Sequence, residues 1–170
     1  MSAGRIVPLV IHGWTVFAHP LFLAQIETLE RQVESFKQKD PAGYVKKNAS
    51  KRLAAIIRLA FDLIPQDPTR PEYRQGSSLG GERRHWLRAK FFQQYRLFFR
   101  YHAPSRVIVL AWVNEEDSKR AYESSDDTYR VFRKMLDSGH PPDDWSHLLA
   151  EARVEGLRLQ DSAAGLGLEP

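Results

Sequence analysis

The chain has 170 residues, 42% of them hydrophobic and 11% aromatic, a composition that suits one folded domain and excludes a disordered chain. It has no cysteine, which excludes disulfide bonds, thiolate catalysis and zinc sites with cysteine ligands. The net charge of +4 is mild, and no run approaches the roughly 18 apolar residues that would span a membrane.

The first segment, MSAGRIVPLVIHGW, has a short apolar patch that Pro8 interrupts and no convincing cleavage site. We therefore expect no signal peptide and a cytoplasmic location. The sequence WTVF (14–17) then predicts a short strand, because it is rich in aromatic and β-branched residues.

Two helices are predicted next, the first ending near Lys39 and the second ending before Pro65, because apolar residues recur there at helical spacing. The linking sequence KDPAGY (39–44) is short, which predicts an antiparallel helical hairpin. The apolar positions are Phe22, Ile26, Leu29, Val33 and Phe36 in the first helix and Leu53, Ile56, Ile57, Ala60, Phe61 and Ile64 in the second.

A Gly/Ser-rich connector (74–84) leads to three predicted strands at about 86–92, 95–102 and 106–113. Their short separations favour an antiparallel meander. The last strand, RVIVLAWV, is apolar on both faces and is expected in the middle of the sheet.

Two more helices are predicted towards the C-terminus. Ser125 and Asp126 can cap the first, which would end at Gly139, and the second begins around Trp145. The fold class is thus α+β, with the helical hairpin packed on an antiparallel sheet. We expect a single domain over residues 1–156 and a flexible C-terminal tail over 157–170.

The charges are distributed unevenly along the chain. Residues 1–114 carry 18 basic and 8 acidic side chains, a net charge of +10, whereas residues 115–170 carry 7 basic and 13 acidic ones, a net charge of −6. This asymmetry suggests that the first part binds a polyanion. No acidic residue occurs between Glu82 and Glu115, a stretch that contains Arg83, Arg84, Arg88, Lys90, Arg96, Arg100 and Arg106.

Side-chain alternation assigns these cations to faces of the sheet. Apolar residues of the first two meander strands share one face, and the opposite face collects four cations and two rings: Arg88, Lys90, Arg96, Arg100, Trp86 and Phe98. Cations for phosphates beside rings for unstacked bases suit single-stranded nucleic acid. The alternative is that carboxylates of the acidic C-terminal part fold over this face.

The same face could cleave RNA. Cleavage needs a base for the ribose 2′-hydroxyl, cations for the developing phosphorane charge and an acid for the leaving oxygen. Lys90 can be the base if neighbouring cations and partial burial favour its neutral amine. Arg88 and Arg96 suit charge stabilisation, and Tyr122 could complete the site with its hydroxyl or ring.

Several sequence elements in order resemble YhaV-type toxins of bacterial toxin–antitoxin systems, a branch of the RelE-like endoribonuclease superfamily. They are HGWTVFAHPLF (12–22), KDPAGY (39–44), YRLFFRY (95–101), LAWVNEEDSKRAY (110–122) and VFRKMLDSGHPPDDW (131–145). The resemblance implies a small α+β RelE-like fold and a toxin that cleaves mRNA, free or on the ribosome, without a metal or other cofactor.

The resemblance also implies partners. We expect a PrlF-type antitoxin with a swapped-hairpin DNA-binding domain, a hetero-oligomer of toxin and antitoxin, and operator DNA bound through that complex.

The residues that resemble the superfamily's catalytic pattern are Arg88 and Lys90, Arg96 after Tyr95, and Tyr122. The pattern expects a late arginine six residues before that tyrosine, but Glu116 stands there and Arg120 is a nearby substitute. We predict catalytic roles for Arg88, Lys90, Arg96 and Tyr122. The predicted substrate-binding residues are Trp86, Phe98, Arg100, Arg120, Arg84 and His85.

Other functions remain open at this point. The histidines lack metal-ligand spacing, so no metal site is predicted, although His85 could act as an acid or base. One alternative is a non-catalytic nucleic-acid-binding protein, such as a transcriptional co-repressor acting with its antitoxin. Another is a structural role, in which an acidic antitoxin segment permanently covers the basic sheet.

Overall fold

The computed structural model describes residues 8–115 and 125–165, in which helices lie on both faces of a five-stranded sheet. The α+β class is confirmed. The elements in chain order are β1 (Leu9–Ile11), β2 (Trp14–Ala18), α1 (Pro20–Lys39), α2 (Asn48–Arg58), a π-helical turn (Leu59–Leu63), α3 (Ile64–Gln66), β3 (Leu87–Phe91), β4 (Tyr95–His102), β5 (Val107–Val113), α4 (Ser125–Asp137), α5 (Trp145–Val154) and α6 (Gly156–Gly165).

Both predicted N-terminal helices form, but the second does not end before Pro65 as expected. Helix α2 continues through the π-helical turn into α3, which contains Pro65 in its first turn and ends at Gln66. Helix α1 begins with Pro20, whose missing N–H costs nothing in the first turn, and the side chain of His19 accepts a hydrogen bond from the Leu21 N–H. Helix α1 packs against α2 and against the sheet. Its buried side is made of Phe22, Leu23, Ile26 and Leu29.

The strand order is β1-β2-β5-β4-β3. Strands β3, β4 and β5 form the predicted antiparallel meander, and β5 is central. The sequence does not predict that β2 pairs with β5 in parallel, because that pairing depends on contacts between segments about 90 residues apart rather than on local spacing.

Each face of the sheet carries its own apolar core. On one face, strand residues such as Leu97 and Phe99 pack with α1, α2 and α6. On the other face, Phe98 and Trp112 pack with α4 and α5. The sheet is therefore covered from both sides, which decides how much of the basic face is left accessible.

The flexible tail expected over 157–170 is not found in its described part, because residues up to Gly165 form helix α6, and residues 166–170 lie outside the described residues. Leu159 and Ala163 are buried in the core. Arg158 forms an ion pair with Glu27 of α1. Tertiary contacts to α1 thus stabilise a segment whose sequence has weak periodicity. Within the two described ranges, no helix is long and apolar enough to cross a bilayer.

Candidate active site

The pairing of β3 with β4 places the predicted cations on one face of the sheet. Lys90 lies opposite Arg96, and Arg88 lies opposite Phe98. Opposite residues of an antiparallel pair project to the same face. The shared face inferred from alternation is therefore confirmed.

Helix α4 covers the middle of this face. Trp86 and Phe98 are fully buried, with 0% of each side chain exposed. The rings of Phe98 and Phe132 stack with their centroids 4.3 Å apart, and the edge of Trp86 meets Phe132 at 5.1 Å. The prediction that Trp86 and Phe98 offer stacking surfaces to RNA bases is wrong, because α4 already occupies the space above their rings.

Acidic residues from the C-terminal part neutralise one end of the face. Asp143 Oδ1 lies 2.9 Å from His85 Nε2 and accepts a hydrogen bond from Trp86 Nε1 at 2.7 Å. Burial alone would raise the pKa of the Asp143 carboxyl, but these hydrogen bonds outweigh it and hold the pKa below its ordinary value. Arg83 pairs with Asp137 at 2.8 Å. At this end, carboxylates of the C-terminal part therefore lie against the basic residues, as the alternative interpretation expects.

Arg100 is also engaged within the protein. Its guanidinium lies over the rings of Trp86 and Trp145, at 5.6 and 5.3 Å from their centroids. It donates a hydrogen bond to the Asp143 carbonyl at 2.5 Å. Burial lowers the pKa of this guanidinium from its ordinary value. These contacts give Arg100 a structural role rather than the predicted substrate contact.

Arg88 joins the sheet to two other parts of the chain. Its Nε donates to the Tyr129 hydroxyl on α4 at 2.9 Å, and its Nη1 donates to the Glu72 carbonyl at 2.6 Å. The side chain is half-buried. Its charge thus lies at the boundary between the covered part of the face and the part near Lys90.

Arg96 is almost fully buried, with 6% of the residue exposed. Its Nη1 donates to the carbonyls of Gln93 and Tyr95, at 2.7 and 3.0 Å. Its backbone N–H donates to Asn114 Oδ1 at 2.7 Å. This guanidinium therefore holds the β3–β4 connection, and it can act on a bound phosphate through its charge more readily than by contact.

The open end of the face lies at Lys90 and the β3–β4 connection. Lys90 is exposed, and the structure records no ion pair or hydrogen bond for its amine with any residue of the described ranges. The partial burial expected for this lysine is not found. Phe92, two residues further on, is 50% exposed. Arg84 and His85 are also exposed, but His85 is engaged with Asp143.

Two predicted site residues, Arg120 and Tyr122, lie outside the described residues, as does Glu116. The described residues on either side of this segment contact the site. Asn114 bonds to Arg96, and Tyr129 bonds to Arg88.

Four residues of this region were not predicted as site residues: Asn114, Tyr129, Asp143 and Phe92. Asn114 had a usable signal, since it is a polar residue directly after a strand that is apolar on both faces. Phe92 shares the alternation parity of Lys90 in the sequence, but β3 ends at Phe91 and Phe92 lies in the connection that follows it. Tyr129 and Asp143 reach the site only through tertiary packing, which local sequence does not predict.

The structure also contains a cavity of about 320 Å³ between α1, α2 and the end of β5. Gln25, Arg52 and Trp112 are among its lining residues, and no predicted site residue that lies within the described ranges lines it. Among residues 8–115 and 125–165, no group of three His, Asp or Glu side chains is arranged to hold a metal ion.

Comparison with known proteins identifies the family. Residues 16–153 match a family described as a toxin with endonuclease activity, of a toxin–antitoxin system. Three relatives, each 43% identical over 146 residues, are the Toxin YhaV of Escherichia coli O6:H1, the Ribonuclease toxin YhaV of Escherichia coli K12 and the Toxin YhaV of Escherichia coli O157:H7. Each alignment covers 85% of this chain and 95% of the relative.

No solved structure matches the chain at a significant level. The family match covers well over half of the chain, and the identity to the relatives extends over nearly their whole length. It follows that the chain belongs to the YhaV family of toxins, which have endonuclease activity and act in toxin–antitoxin systems.

Proposed function

We propose that this toxin is an endoribonuclease that cleaves single-stranded mRNA by transesterification through the ribose 2′-hydroxyl. The observation that carries the proposal is Lys90, an exposed amine directly opposite the buried cation of Arg96 and without a recorded carboxylate partner among the described residues. The relative from Escherichia coli K12 is named a ribonuclease toxin, which agrees with RNA as the substrate.

The proposed reaction assigns one role to each group. Lys90 is assigned the base role by its position opposite Arg96 and not by burial, since its side chain is exposed. Its amine removes the 2′-hydroxyl proton, and the 2′-oxygen attacks the adjacent phosphorus. The bond to the 5′-oxygen then breaks, and that oxygen takes up a proton. The products are a 2′,3′-cyclic phosphate and a 5′-hydroxyl, and no water or redox partner is consumed.

Arg88 and Arg96 would stabilise the charge that develops on the phosphorane. Arg88 is half-buried beside the Tyr129 hydroxyl, and Arg96 is buried beneath the β3–β4 connection. Both are therefore fixed before substrate arrives, as electrostatic stabilisation requires. Tyr122 is proposed as the proton donor or stacking residue, and Arg120 as a substrate contact. Asn114 and Tyr129, the described residues that flank this segment in the chain, form hydrogen bonds with Arg96 and Arg88, respectively.

The proposed site consists of cations and aromatic groups, a donor set that suits phosphate binding and not metal ligation. We therefore propose that cleavage does not need a divalent ion. Toxin–antitoxin membership implies an antitoxin partner. A PrlF-type antitoxin with a swapped-hairpin DNA-binding domain, operator DNA bound through the complex, and mRNA on the ribosome as substrate are finer proposals.

The experiment that tests the proposal uses purified toxin and a single-stranded RNA in EDTA, with and without ribosomes. Wild-type protein should give 2′,3′-cyclic phosphate ends. So should the control variant Lys134→Ala, because Lys134 is exposed like Lys90 but lies on α4. RNA with a 2′-deoxy substitution at the cleaved nucleotide should remain intact. Cleavage of that substrate, or no cleavage of any RNA under either condition, would reject the proposal. Tight binding to duplex DNA without RNA cleavage would favour a co-repressor instead.

A further inference from the structure

The connection between β3 and β4 has an unusual backbone. Phe92 and Gln93 have φ angles of 49° and 63°, in the left-handed region that favours glycine. A bulky aromatic residue rarely adopts this conformation. Unusual backbone of this kind persists only where surrounding contacts hold it, and it concentrates at functional sites.

Two buried side chains supply those contacts. Arg96 Nη1 donates to the Gln93 carbonyl at 2.7 Å, and Asn114 Nδ2 donates to the Gln94 carbonyl at 2.9 Å. Asn114 is 2% exposed and also accepts from the Arg96 N–H. The backbone of the connection is thus held by Asn114, which follows β5, and by Arg96, a residue of the proposed site.

This connection exposes Phe92 together with Gln93 and Gln94. Among the Phe, Tyr and Trp residues in ranges 8–115 and 125–165, Phe92 alone is exposed. Its ring meets Phe91 edge to face, at 5.6 Å between centroids, and Phe91 in turn stacks on Tyr95 at 5.2 Å. The ring therefore contacts protein at Phe91, while half of the residue remains exposed.

The neighbouring charge favours nucleic acid over an apolar partner. Lys90 lies two residues before Phe92 and is exposed, and Arg96 lies opposite Lys90. A base can stack on the ring while its phosphate meets the amine, the combination found in proteins that bind single strands. The rings that were predicted for stacking, Trp86 and Phe98, are buried, so a base at this site needs another aromatic surface.

We infer that Phe92 is a substrate-positioning residue that stacks on one RNA base next to the phosphate held at Lys90, with Arg96 and Asn114 fixing the connection that presents it. This inference rests on the proposed function, since it takes RNA as the substrate. It adds a base-binding element that the family match does not assign.

The test measures binding of an uncleavable RNA, with 2′-deoxy substitution at the cleaved nucleotide, to Phe92 variants. Phe92→Ala and Phe92→Leu should bind about 5- to 150-fold more weakly, because stacking on a ring is lost. Phe92→Tyr should bind as wild type. Phe92→Gly should keep or raise the melting temperature, because glycine adopts this φ freely, while binding RNA as weakly as Phe92→Ala.

A second arm identifies the stacked base. RNAs with a single abasic nucleotide at each position in turn should include one that weakens wild-type binding but not binding by Phe92→Ala. Equal affinity of wild type and Phe92→Ala, or full affinity of Phe92→Leu, would overturn the inference. So would a loss of antitoxin binding with RNA binding unchanged. Because both arms measure RNA binding and not cleavage, their results test the role of Phe92 even if the proposed cleavage chemistry is wrong.

Discussion

The cationic residues of the basic face differ in the contacts that their side chains make within the protein. Arg100 and Arg96 share this face, yet Arg100 lies over two indole rings and Arg96 holds a backbone connection. Lys90 has neither kind of contact recorded among the described residues. The availability of a cation to substrate therefore depends on its local partners, which strand alternation alone does not reveal.

Replacing Arg100 tests its structural role. We expect Arg100→Ala to lower the free energy of unfolding by about 2–4 kcal/mol, because it removes two cation–π contacts and a charged hydrogen bond. Urea unfolding measures this. At temperatures where the variant is folded, its RNA affinity should equal that of wild type. Weaker RNA binding by a fully folded variant would instead support the substrate contact predicted from the sequence.

Asp143 predicts a pH dependence of stability. Its folded pKa is held below the ordinary value near 3.9 by hydrogen bonds from His85 and Trp86. The unfolded chain therefore binds more protons in this range, and the stabilisation is present above about pH 4 and lost as pH falls through the folded pKa. Urea unfolding between pH 3 and 6 should show a shallower acid decline for Asp143→Asn than for wild type. Parallel curves would contradict this role.

At the scale of elements, α6 shows how packing can order a segment with weak sequence signals. We expect Leu159→Ala to cost about 2–4 kcal/mol in unfolding free energy, because the side chain is 4% exposed within the core. Asp161→Ala, an exposed position on the same helix, should change stability by less than about 0.5 kcal/mol. Chemical denaturation compares the two, and equal effects would favour the flexible tail expected from the sequence.

The elements that local patterns define were predictable. The bounds of β4 follow from the alternation over Tyr95–His102, and α1 follows from its apolar spacing and Pro20. The covering of the basic face was not predictable in the same way. Nothing local to Trp86 or Phe98 distinguishes a ring under a helix from an exposed one, since α4 begins about 40 and 30 residues later in the chain and meets these rings only in the folded protein.

At the scale of the whole molecule, the charge asymmetry is partly resolved within the fold. Acidic residues Asp137 and Asp143 lie against Arg83 and His85 at one end of the basic face. The other end, at Lys90, keeps its charge accessible. A second acid-free stretch, residues 41–61, exposes Lys47, Lys51 and Arg58 along α2. Accessible cations are thus found at Lys90 and along α2, and also on α4, where Lys134 is exposed.

This distribution predicts the salt dependence of RNA binding. Each phosphate contact on a single strand contributes a slope of about 0.7 to the decline of log affinity with log salt. Lys90→Ala should reduce that slope by roughly this amount, whereas Lys134→Ala, near the neutralised end, should leave it unchanged. Fluorescence anisotropy over a salt series measures both. An identical slope for wild type and Lys90→Ala would show that Lys90 does not contact phosphate.

The proposed role of Lys90 as the base of RNA cleavage can be measured through the single-turnover cleavage rate of Lys90→Arg at saturating RNA in EDTA. Arginine keeps the positive charge but does not give up its proton in proteins. If Lys90 is the base, Lys90→Arg should bind RNA nearly as well as wild type and cleave it about 100-fold or more slowly. Cleavage by Lys90→Arg at the wild-type rate would contradict it.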